Sequence, residues 1–219
     1  DAVLFLVAGG TSPGASPVHT VVEQWPLSDA GAPLWVDGAL QPADAGWTQR
    51  FPAARWMAGD GLGYWFPGGA EVHASRLVQS GRWSDLGLGD PALVEAPILT
   101  VWIDHGPRVD GGAAAYAIVP HAGAGAMAAW AAKPPLRVLA NTKELAAARD
   151  ERTGELGVVF WRRGTLGDYT FNAPGLLFAK GDGGRLELSV AEPSQARNSL
   201  VVTVAGRLAS SSTARPPYP

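Results

Sequence analysis

The sequence predicts an all-β protein, with an antiparallel β-sandwich followed by a small C-terminal β-sandwich and one short helix near residues 123–133. Two observations predict this fold class. Short β-type runs recur about every 8–14 residues, and Gly, Pro, Asp and Ser separate them, which is the spacing of antiparallel sandwiches. A single Ala-rich segment interrupts this series of runs.

The first part of the chain carries eight predicted strands. Polar and apolar residues alternate most clearly from Glu71 to Ser75, where Val72 and Ala74 occupy the apolar side. Arg76 follows on that apolar side, so we expect this face to be only partly buried. The predicted strands cover residues 2–8, 19–27, 33–38, 55–60, 62–67, 71–83, 98–106 and 114–120.

The segment GAGAMAAWAAKP (123–134) predicts the helix, because Ala is the residue with the strongest helix propensity. Met127, Trp130 and Ala131 have the spacing that places side chains on one helix face. Proline cannot continue a helix, so the helix is expected to end before the prolines that follow.

The dipeptide Pro134-Pro135 divides the chain into a first domain, 1–134, and a small second domain, 135–219. The segment TKELAAARD (142–150) is predicted as a short helical turn or an irregular crossing between strands. The polar, Pro-rich end predicts a loose tail from about residue 209. The predicted strands of the second domain cover residues 136–142, 156–164, 168–174, 176–181, 185–193 and 199–206.

Composition excludes several classes of function. The formal net charge is −3, which gives no positive field for a polyanion, so we expect no nucleic-acid partner. The sequence contains no Cys, which excludes disulfides, thiolate metal ligands and a Cys nucleophile. No apolar run approaches the roughly 18–20 residues of a membrane-spanning helix, so no membrane partner is expected. The abundance of Arg, Ala and Gly is typical of a high-GC bacterial genome.

Asp104 and His105 lie at the end of an apolar run and could be part of a catalytic site. Adjacent residues of a strand point to opposite faces, so these two side chains are not expected to bond each other. A catalytic triad also needs a nucleophile within reach, and the sequence has no G-x-S-x-G elbow. We therefore expect both residues to close a strand and to stabilise the turn before Gly106-Pro107.

Other candidate sites are equally weak. The Gly-rich stretches GDGLG (59–63) and KGDGGR (180–185) precede strands, so they predict hairpin turns and not phosphate-binding loops, which need a following helix. Arg162 and Arg163 diverge on a strand and predict a solvated hairpin end. No metal site is expected, because no metal-binding spacing relates the four histidines His19, His73, His105 and His121.

The nine tryptophans are spread along the chain, so most are expected to pack in the core and one or two to line a groove. The residues by themselves thus predict no catalytic, cofactor-binding or metal-binding position. The tryptophans are Trp25, Trp35, Trp47, Trp56, Trp65, Trp83, Trp102, Trp130 and Trp161.

Five stretches in collinear order carry a family resemblance. They are DAVLFLVAGGTSPGASPVHTVVEQWPL with LWVDG, GYWFP with SGRWSDLG, ILTVWIDHG with YAIVPH, LRVLANTKELAAARDERTGELGVVFW, and LELSVAEPSQ. Together they resemble polysaccharide lyase family 8, which includes the hyaluronate, chondroitin AC and xanthan lyases. Ala191, Glu192 and Ser194 depart from the LSVSDPTQ pattern of that family.

The resemblance implies a position within a larger enzyme. Such lyases have an N-terminal α/α toroid, a central β-sandwich domain and a small C-terminal β-sandwich, and this chain corresponds to the second part of the central domain plus the C-terminal domain. The family's catalytic Asn, His, Tyr and Arg belong to the toroid, and a supporting Glu lies earlier in the central domain. The resemblance therefore implies no catalytic residue in this chain, no cofactor, and the toroid of the same enzyme as partner.

The function implied by the resemblance is β-elimination on an acidic polysaccharide that contains uronic acid, with hyaluronan or chondroitin favoured. This portion would be scaffold and cleft wall of a secreted bacterial enzyme. A chain that opens directly on a strand, with no initiator Met, also predicts that more polypeptide precedes it. One alternative is a stand-alone carbohydrate-binding or interaction module, and another is an independent hydrolase, for which the sequence offers no nucleophile–base pair.

Overall fold

The computed structural model describes residues 1–182, 184–194 and 199–206, and the predicted all-β class is confirmed. One helix, α1, spans Ala124–Ala132, and one turn of 3₁₀ helix spans Trp83–Leu86. The strands before the helix are β1 (Val3–Thr11), β2 (His19–Pro26), β3 (Leu34–Val36), β4 (Ala39–Leu40), β5 (Thr48–Gly59), β6 (Leu62–Gly81), β7 (Val94–Asp104) and β8 (Asp110–Pro120). Those after it are β9 (Leu136–Asn141), β10 (Leu145–Asp150), β11 (Leu156–Phe160), β12 (Gly164–Leu166), β13 (Tyr169–Phe171), β14 (Gly175–Asp182), β15 (Arg185–Ala191) and β16 (Val202–Val204).

Strand β6 organises the first eight strands. The sequence predicted two strands, 62–67 and 71–83, but the structure has one continuous strand of 20 residues. Its first half pairs with β8 and its second half with β7, while β5 runs along both halves. All these pairs are antiparallel, and the sheet has the order β1-β8-β6-β5-β3-β4. Strand β7 pairs with the second half of β6 on the edge opposite β5, the same edge that pairs with β8, and β2 pairs with β7.

A bulge in the middle of β6 allows the sheet to fold over on itself. Between the pairs Ala54–Ala70 and Trp56–Trp65, one residue of β5 lies opposite four residues of β6. Gly68 and Gly69 of this bulge have φ angles of 76° and 83°, a region that only glycine enters without strain. The two halves of the sheet therefore face each other as the two layers of a sandwich.

The largest core lies between these two layers. Tyr64 and Phe66 come from the first half of β6, Val72 from the second half and Val101 from β7, and each is at most 1% exposed. Strand alternation explains the pattern, since the residues between them point to the outer faces. Burial of such large apolar side chains is the main favourable contribution to folding.

Arg76 contradicts the expectation of a partly buried face, because it is only 3% exposed. Its guanidinium donates to the carbonyl oxygens of Ala32, at 2.6 Å, and Ala30, at 3.4 Å. The loop between β2 and β3 thus covers a side chain that sequence alternation placed at the edge of the apolar face. Burial lowers the pKa of Arg76, since no carboxylate among its described contacts compensates for lost hydration.

Helix α1 covers the outer face of the first layer, where the sequence predicted a helix. Met127 is fully buried and packs against Trp56 and Trp65, which form a cross-strand pair. The cap residue Lys133 follows the last turn, immediately before the prolines. A second apolar cluster therefore lies between the helix and the sheet.

The strands after the helix form two further antiparallel sheets. One has the order β15-β14-β11-β10-β9 and the other the order β12-β13-β16. Phe160 of the first and Phe171 of the second stack with ring centroids 4.4 Å apart and lie in one buried cluster. These sheets thus pack face to face as a small second sandwich.

The prediction of a helical turn or an irregular crossing for segment 142–150 is wrong, because Leu145–Asp150 is strand β10, which pairs with β11 and β9 inside the five-stranded sheet. Ala146 and Ala147 are buried between their neighbours. Tertiary packing selects small side chains at this position, and it overrides the helix propensity of Ala.

Turn predictions mostly hold. Asp60 and Gly61, with φ angles of 47° and 82°, form the two-residue turn between β5 and β6. Strands β14 and β15 form the hairpin predicted for KGDGGR, although Gly183 lies outside the described residues, as does the predicted tail from residue 209. The predicted hairpin end at Arg162-Arg163 is instead an exposed bend that carries the chain from β11 to the three-stranded sheet.

The two sandwiches are joined by direct contacts. The side-chain amide of Asn141 on β9 donates to the carbonyl oxygens of Val7, at 3.2 Å, and Ala114, at 3.1 Å. Leu136 of β9 also packs beside the helix cluster. Among the described residues, no helix is long and apolar enough to cross a membrane.

Gly63 tests the packing of the helix on the sheet. A Cβ at this position would lie 2.2 Å from Met127 Sδ and 3.0 Å from Ala122 Cβ, and both partners are buried. We expect Gly63→Ala to destabilise the chain by about 1–3 kcal/mol, because the helix must shift. The measurement is urea unfolding followed by circular dichroism. Gly157→Ala is the matched control, since a Cβ there meets nothing within 4 Å, and equal losses in both variants would contradict this packing.

Candidate functional site

The structure separates Asp104 from His105, as expected from their places on a strand. One oxygen of Asp104 accepts a hydrogen bond from the backbone N–H of Gly106 at 2.8 Å, and it lies 3.5 Å from His19 Nε2. His105 Nε2 instead lies 2.8 Å from Thr20 Oγ1. Asp104 thus closes the turn, and the two side chains form no shared acid–base pair.

A row of polar and aromatic side chains crosses the outer face of β5, β6 and β7. Arg50, His73 and Trp102 lie in register, and the His73 ring stacks on Trp102 with centroids 5.2 Å apart. The His19 ring also contacts Trp102, with ring centroids 5.8 Å apart in a tilted arrangement. Glu71 pairs with Arg50 and lies 3.6 Å from His73, and the hydrogen bond from Arg50 lowers the pKa of Glu71. Such exposed pairs contribute little to stability, and the side chains named in this row include no hydroxyl or thiol nucleophile.

The histidines do not converge as metal ligands. His19 and His73 flank Trp102, while His105 bonds to Thr20 and His121 lies in a turn with φ of 56°. In the part of the chain that the structure describes, no group of three or more His, Asp or Glu side chains could hold a metal ion.

The tryptophans divide into packing residues and exposed ones. Most of the nine were expected to pack in the core, but only Trp56 and Trp65 are fully buried. Four others are half-buried, and three of these, Trp35, Trp47 and Trp130, pack against the cores. Trp25, Trp83 and Trp161 are exposed, and of these Trp25 is the most exposed at 67%. Trp25 lines a cavity that also contains titratable groups, so this cavity is the candidate binding site.

The Trp25 cavity lies between β2 and the hairpin that joins β5 to β6. Its volume is about 300 Å³. Its lining combines apolar side chains with two carboxylates and the exposed indole. The lining residues are Glu23, Trp25, Leu27, Gly59, Asp60, Leu62, Tyr64 and Leu99.

A bulge in β2 turns Glu23 toward this cavity. Val21 pairs with Trp102 on the outer face, whereas Glu23 pairs with the buried Val101, and the register shifts between them. Without the shift, strict alternation would place Val21 and Glu23 on the same outer face. The bulge therefore supplies a carboxylate to the inner side of the sandwich.

Tyr64 holds this carboxylate in place. Its hydroxyl donates to Glu23 Oε2 at 2.8 Å, and the second oxygen of Glu23 accepts the backbone N–H of Gln24 at 2.9 Å. Burial, reinforced by the Glu23 carboxylate, raises the pKa of Tyr64 well above its usual range. Tyr64 is thus a hydrogen-bond donor that keeps its proton and cannot serve as a base.

Asp60 is fixed from the opposite side of the cavity. Its carboxylate accepts hydrogen bonds from the Ser28 hydroxyl and from the Ser28 backbone N–H, the latter at 3.1 Å. Ser28 follows β2, so this contact ties the turn of the hairpin to the end of that strand. Both acidic side chains therefore have defined positions before any ligand enters.

Two family models match the chain. The polysaccharide lyase family 8 super-sandwich domain matches residues 1–131, and the family 8 C-terminal β-sandwich domain matches residues 137–201. The chain belongs to polysaccharide lyase family 8. The family predicted from the resemblance is thus confirmed.

The relatives that the chain matches are much longer than the chain itself. It is 28% identical to a xanthan lyase of Bacillus sp. (strain GL1), over 99% of the chain and 25% of that protein. It is 33% identical to a hyaluronate lyase of Thermasporomyces composti, over 93% of the chain and 27% of that protein. The chain therefore spans about a quarter of the length of these relatives.

A solved family 8 structure shows the same arrangement of strands. The structure of Paenibacillus xanthan lyase superposes with a TM-score of 0.87 at 29% identity. The match covers 90% of this chain and 20% of that one. The similarity thus extends across both sandwiches of the chain.

Sequence reasoning did not find the residues of the Trp25 cavity. Asp60 was assigned to a turn and Trp25 was one of nine tryptophans, while Glu23 and Tyr64 were not singled out. The hydrogen bond between Glu23 and Tyr64 joins residues 41 positions apart. A local signal existed only for the turn, in the Asp60-Gly61 dipeptide.

Titration of the tyrosines tests the role of Tyr64. Because the pKa of Tyr64 in the folded chain is raised above 10.0, the unfolded chain loses this proton at a lower pH than the folded chain does. We therefore expect the contribution of Tyr64 to the free energy of unfolding to be fully present below pH 10 and to decrease as the pH rises further. In an ultraviolet titration of tyrosinate, Tyr64→Phe should remove only a component that appears late or on unfolding. Loss of a component that titrates near pH 10 would show that Tyr64 is an ordinary, accessible phenol.

Proposed function

We propose that this chain is the C-terminal β-sandwich portion of a polysaccharide lyase that cleaves a uronic-acid polysaccharide by β-elimination, with hyaluronan or chondroitin as substrate. In this proposal the chain is scaffold and one wall of the substrate cleft. The observation that carries it is the match of both family 8 β-domain models by a chain that spans about a quarter of its relatives.

The chemistry of elimination explains why this portion would need a partner. A base removes the C5 proton of the uronate, the C4–C5 double bond forms, and the C4–O bond breaks as the leaving oxygen takes up a proton. The uronate carboxylate must be neutralised to acidify that C5 proton, and the reaction consumes no water. The reaction therefore requires a base, a proton donor and a cationic or hydrogen-bonding group for the carboxylate.

The Trp25 cavity does not meet these requirements. Tyr64 keeps its proton, because burial and Glu23 raise its pKa. The described lining contains two carboxylates and no Lys, Arg or His, so a uronate carboxylate would be repelled there. The Trp25 cavity is therefore not the proposed reaction centre.

The surface of β1 supports a role beside further polypeptide. Among the described strands β1 pairs only with β8, and its other edge is unpaired. Val3, Phe5 and Val7 alternate along this edge strand and are each at least 36% exposed. Unpaired edges with exposed apolar side chains favour coverage by another chain segment, and the proposed partner is the N-terminal α/α toroid part of the same enzyme.

An extracellular location forms part of this proposal. A polysaccharide is too large and too polar to enter a cell unaided, so an enzyme that depolymerises it is expected to be secreted by the bacterium that uses the products.

Formation of the unsaturated uronide tests the proposed function. We expect the 219-residue chain by itself to produce no ultraviolet-absorbing product from hyaluronan or chondroitin. A longer polypeptide that carries these residues together with the upstream part should produce it. Hydrolysis would release reducing ends without the absorbance, which separates the two reaction classes. Elimination by the isolated chain would contradict the assignment of the chemistry to other polypeptide.

The alternative of a stand-alone carbohydrate-binding or interaction module is favoured by one observation, the exposed Trp25 at the mouth of a cavity. Under this alternative the isolated chain binds a polysaccharide tightly, and an upstream region is not required. Glycan binding by the chain in the absence of any lyase activity in longer forms would favour it.

A further inference from the structure

We propose that the Trp25 cavity binds one neutral sugar ring and discriminates against a uronate. The inference rests on the proposed function only in taking the ligand to be a saccharide. Its two components, a shape that suits a pyranose and a charge that excludes an acid, come from different residues of the cavity.

The apolar part of the cavity provides the stacking surface. Trp25 is 67% exposed although its backbone pairs with the buried Leu99, so its indole borders the opening while its strand is held in the sheet. Leu27 and Leu62 complete the apolar lining. The C–H face of a pyranose packs on an aromatic ring, and about 300 Å³ is at the lower end of the range for small-molecule pockets.

The polar part of the cavity provides acceptors for hydroxyl groups. The oxygens of Glu23 accept from Tyr64 and Gln24, and those of Asp60 accept from Ser28. A carboxylate has about four acceptor positions, so each of these groups can accept further hydrogen bonds. Sugar hydroxyls donate hydrogen bonds, and carboxylates fixed in advance lose little freedom when they accept them.

The charge of the cavity selects a neutral ring. Its described lining includes Glu23 and Asp60 but no Lys, Arg or His. A uronate would bring a third negative charge into a partly enclosed space, where like charges repel more strongly than in bulk water. The neutral sugar of an alternating acidic polysaccharide avoids this repulsion, so the cavity would fix the register of the polymer.

The first test measures binding of single sugars to the 219-residue chain. Isothermal titration with glucose, N-acetylglucosamine and glucuronate should show weak, saturable binding of at least one neutral sugar, and glucuronate should bind at least about tenfold more weakly. Trp25→Ala should weaken neutral-sugar binding about tenfold through loss of stacking. Trp161→Ala is the matched control, because Trp161 is 56% exposed on the second sandwich and outside the cavity.

The second test changes the charge without changing the shape. The double variant Glu23→Gln with Asp60→Asn should reduce the discrimination between neutral sugar and glucuronate to within about threefold, while Tyr64 and Ser28 still have acceptors. Glu95→Gln with Asp110→Asn removes the same net charge from exposed positions outside the cavity and should leave the discrimination unchanged. Thermal unfolding of each variant shows whether the fold is retained.

Several outcomes would overturn the inference. The first is that neither neutral sugar shows saturable binding, and the second is that glucuronate binds as tightly as the neutral sugars. The third is that Trp25→Ala and Trp161→Ala weaken sugar binding equally. The fourth is that both double variants reduce the discrimination against glucuronate to the same extent. The uronide assay does not depend on these binding measurements. A failure of the binding tests therefore does not contradict the proposed lyase function, and a failure of the uronide assay does not contradict the proposed sugar site.

Discussion

The bend of β6 at Gly68 and Gly69 is the constraint on which the rest of the first sandwich depends. One strand belongs to both layers, because its first half pairs with β8 and its second half with β7. The positive φ angles of the two glycines make this reversal possible without strain. The core between the layers, the helix on the outer face and the position of β2 opposite the β5–β6 turn all follow from that bend.

Polar groups inside the sandwich are placed by irregular backbone. A bulge in β2 turns Glu23 inward to accept the Tyr64 hydroxyl, and the loop after β2 supplies carbonyl oxygens to the buried Arg76. Each device satisfies a polar group that regular strands would have left exposed or unpaired. The same segment of chain thus stabilises the interior and forms one side of the Trp25 cavity.

Membership of polysaccharide lyase family 8 relates the two sandwiches of this chain to longer proteins. The chain spans about a quarter of the length of the relatives it matches, and the structural similarity extends across both sandwiches. The hydrogen bonds of Asn141 join the two sandwiches directly, which suits the proposed role of the chain as a scaffold. Scaffold and recognition are compatible roles for the chain, since neither requires an acid–base pair within it.

The sequence by itself determined most of the strands, several of the turns and the helix, because period-two alternation, Gly-containing turns and Ala-rich runs are local signals. It also determined the family, through short motifs in a fixed order. Tertiary structure alone decided that residues 145–150 form a strand paired on both sides, that β6 is continuous and that Arg76 is buried. It also brought Glu23 and Tyr64 together. Each of these outcomes depends on contacts between residues far apart in the chain, and local patterns do not encode such contacts.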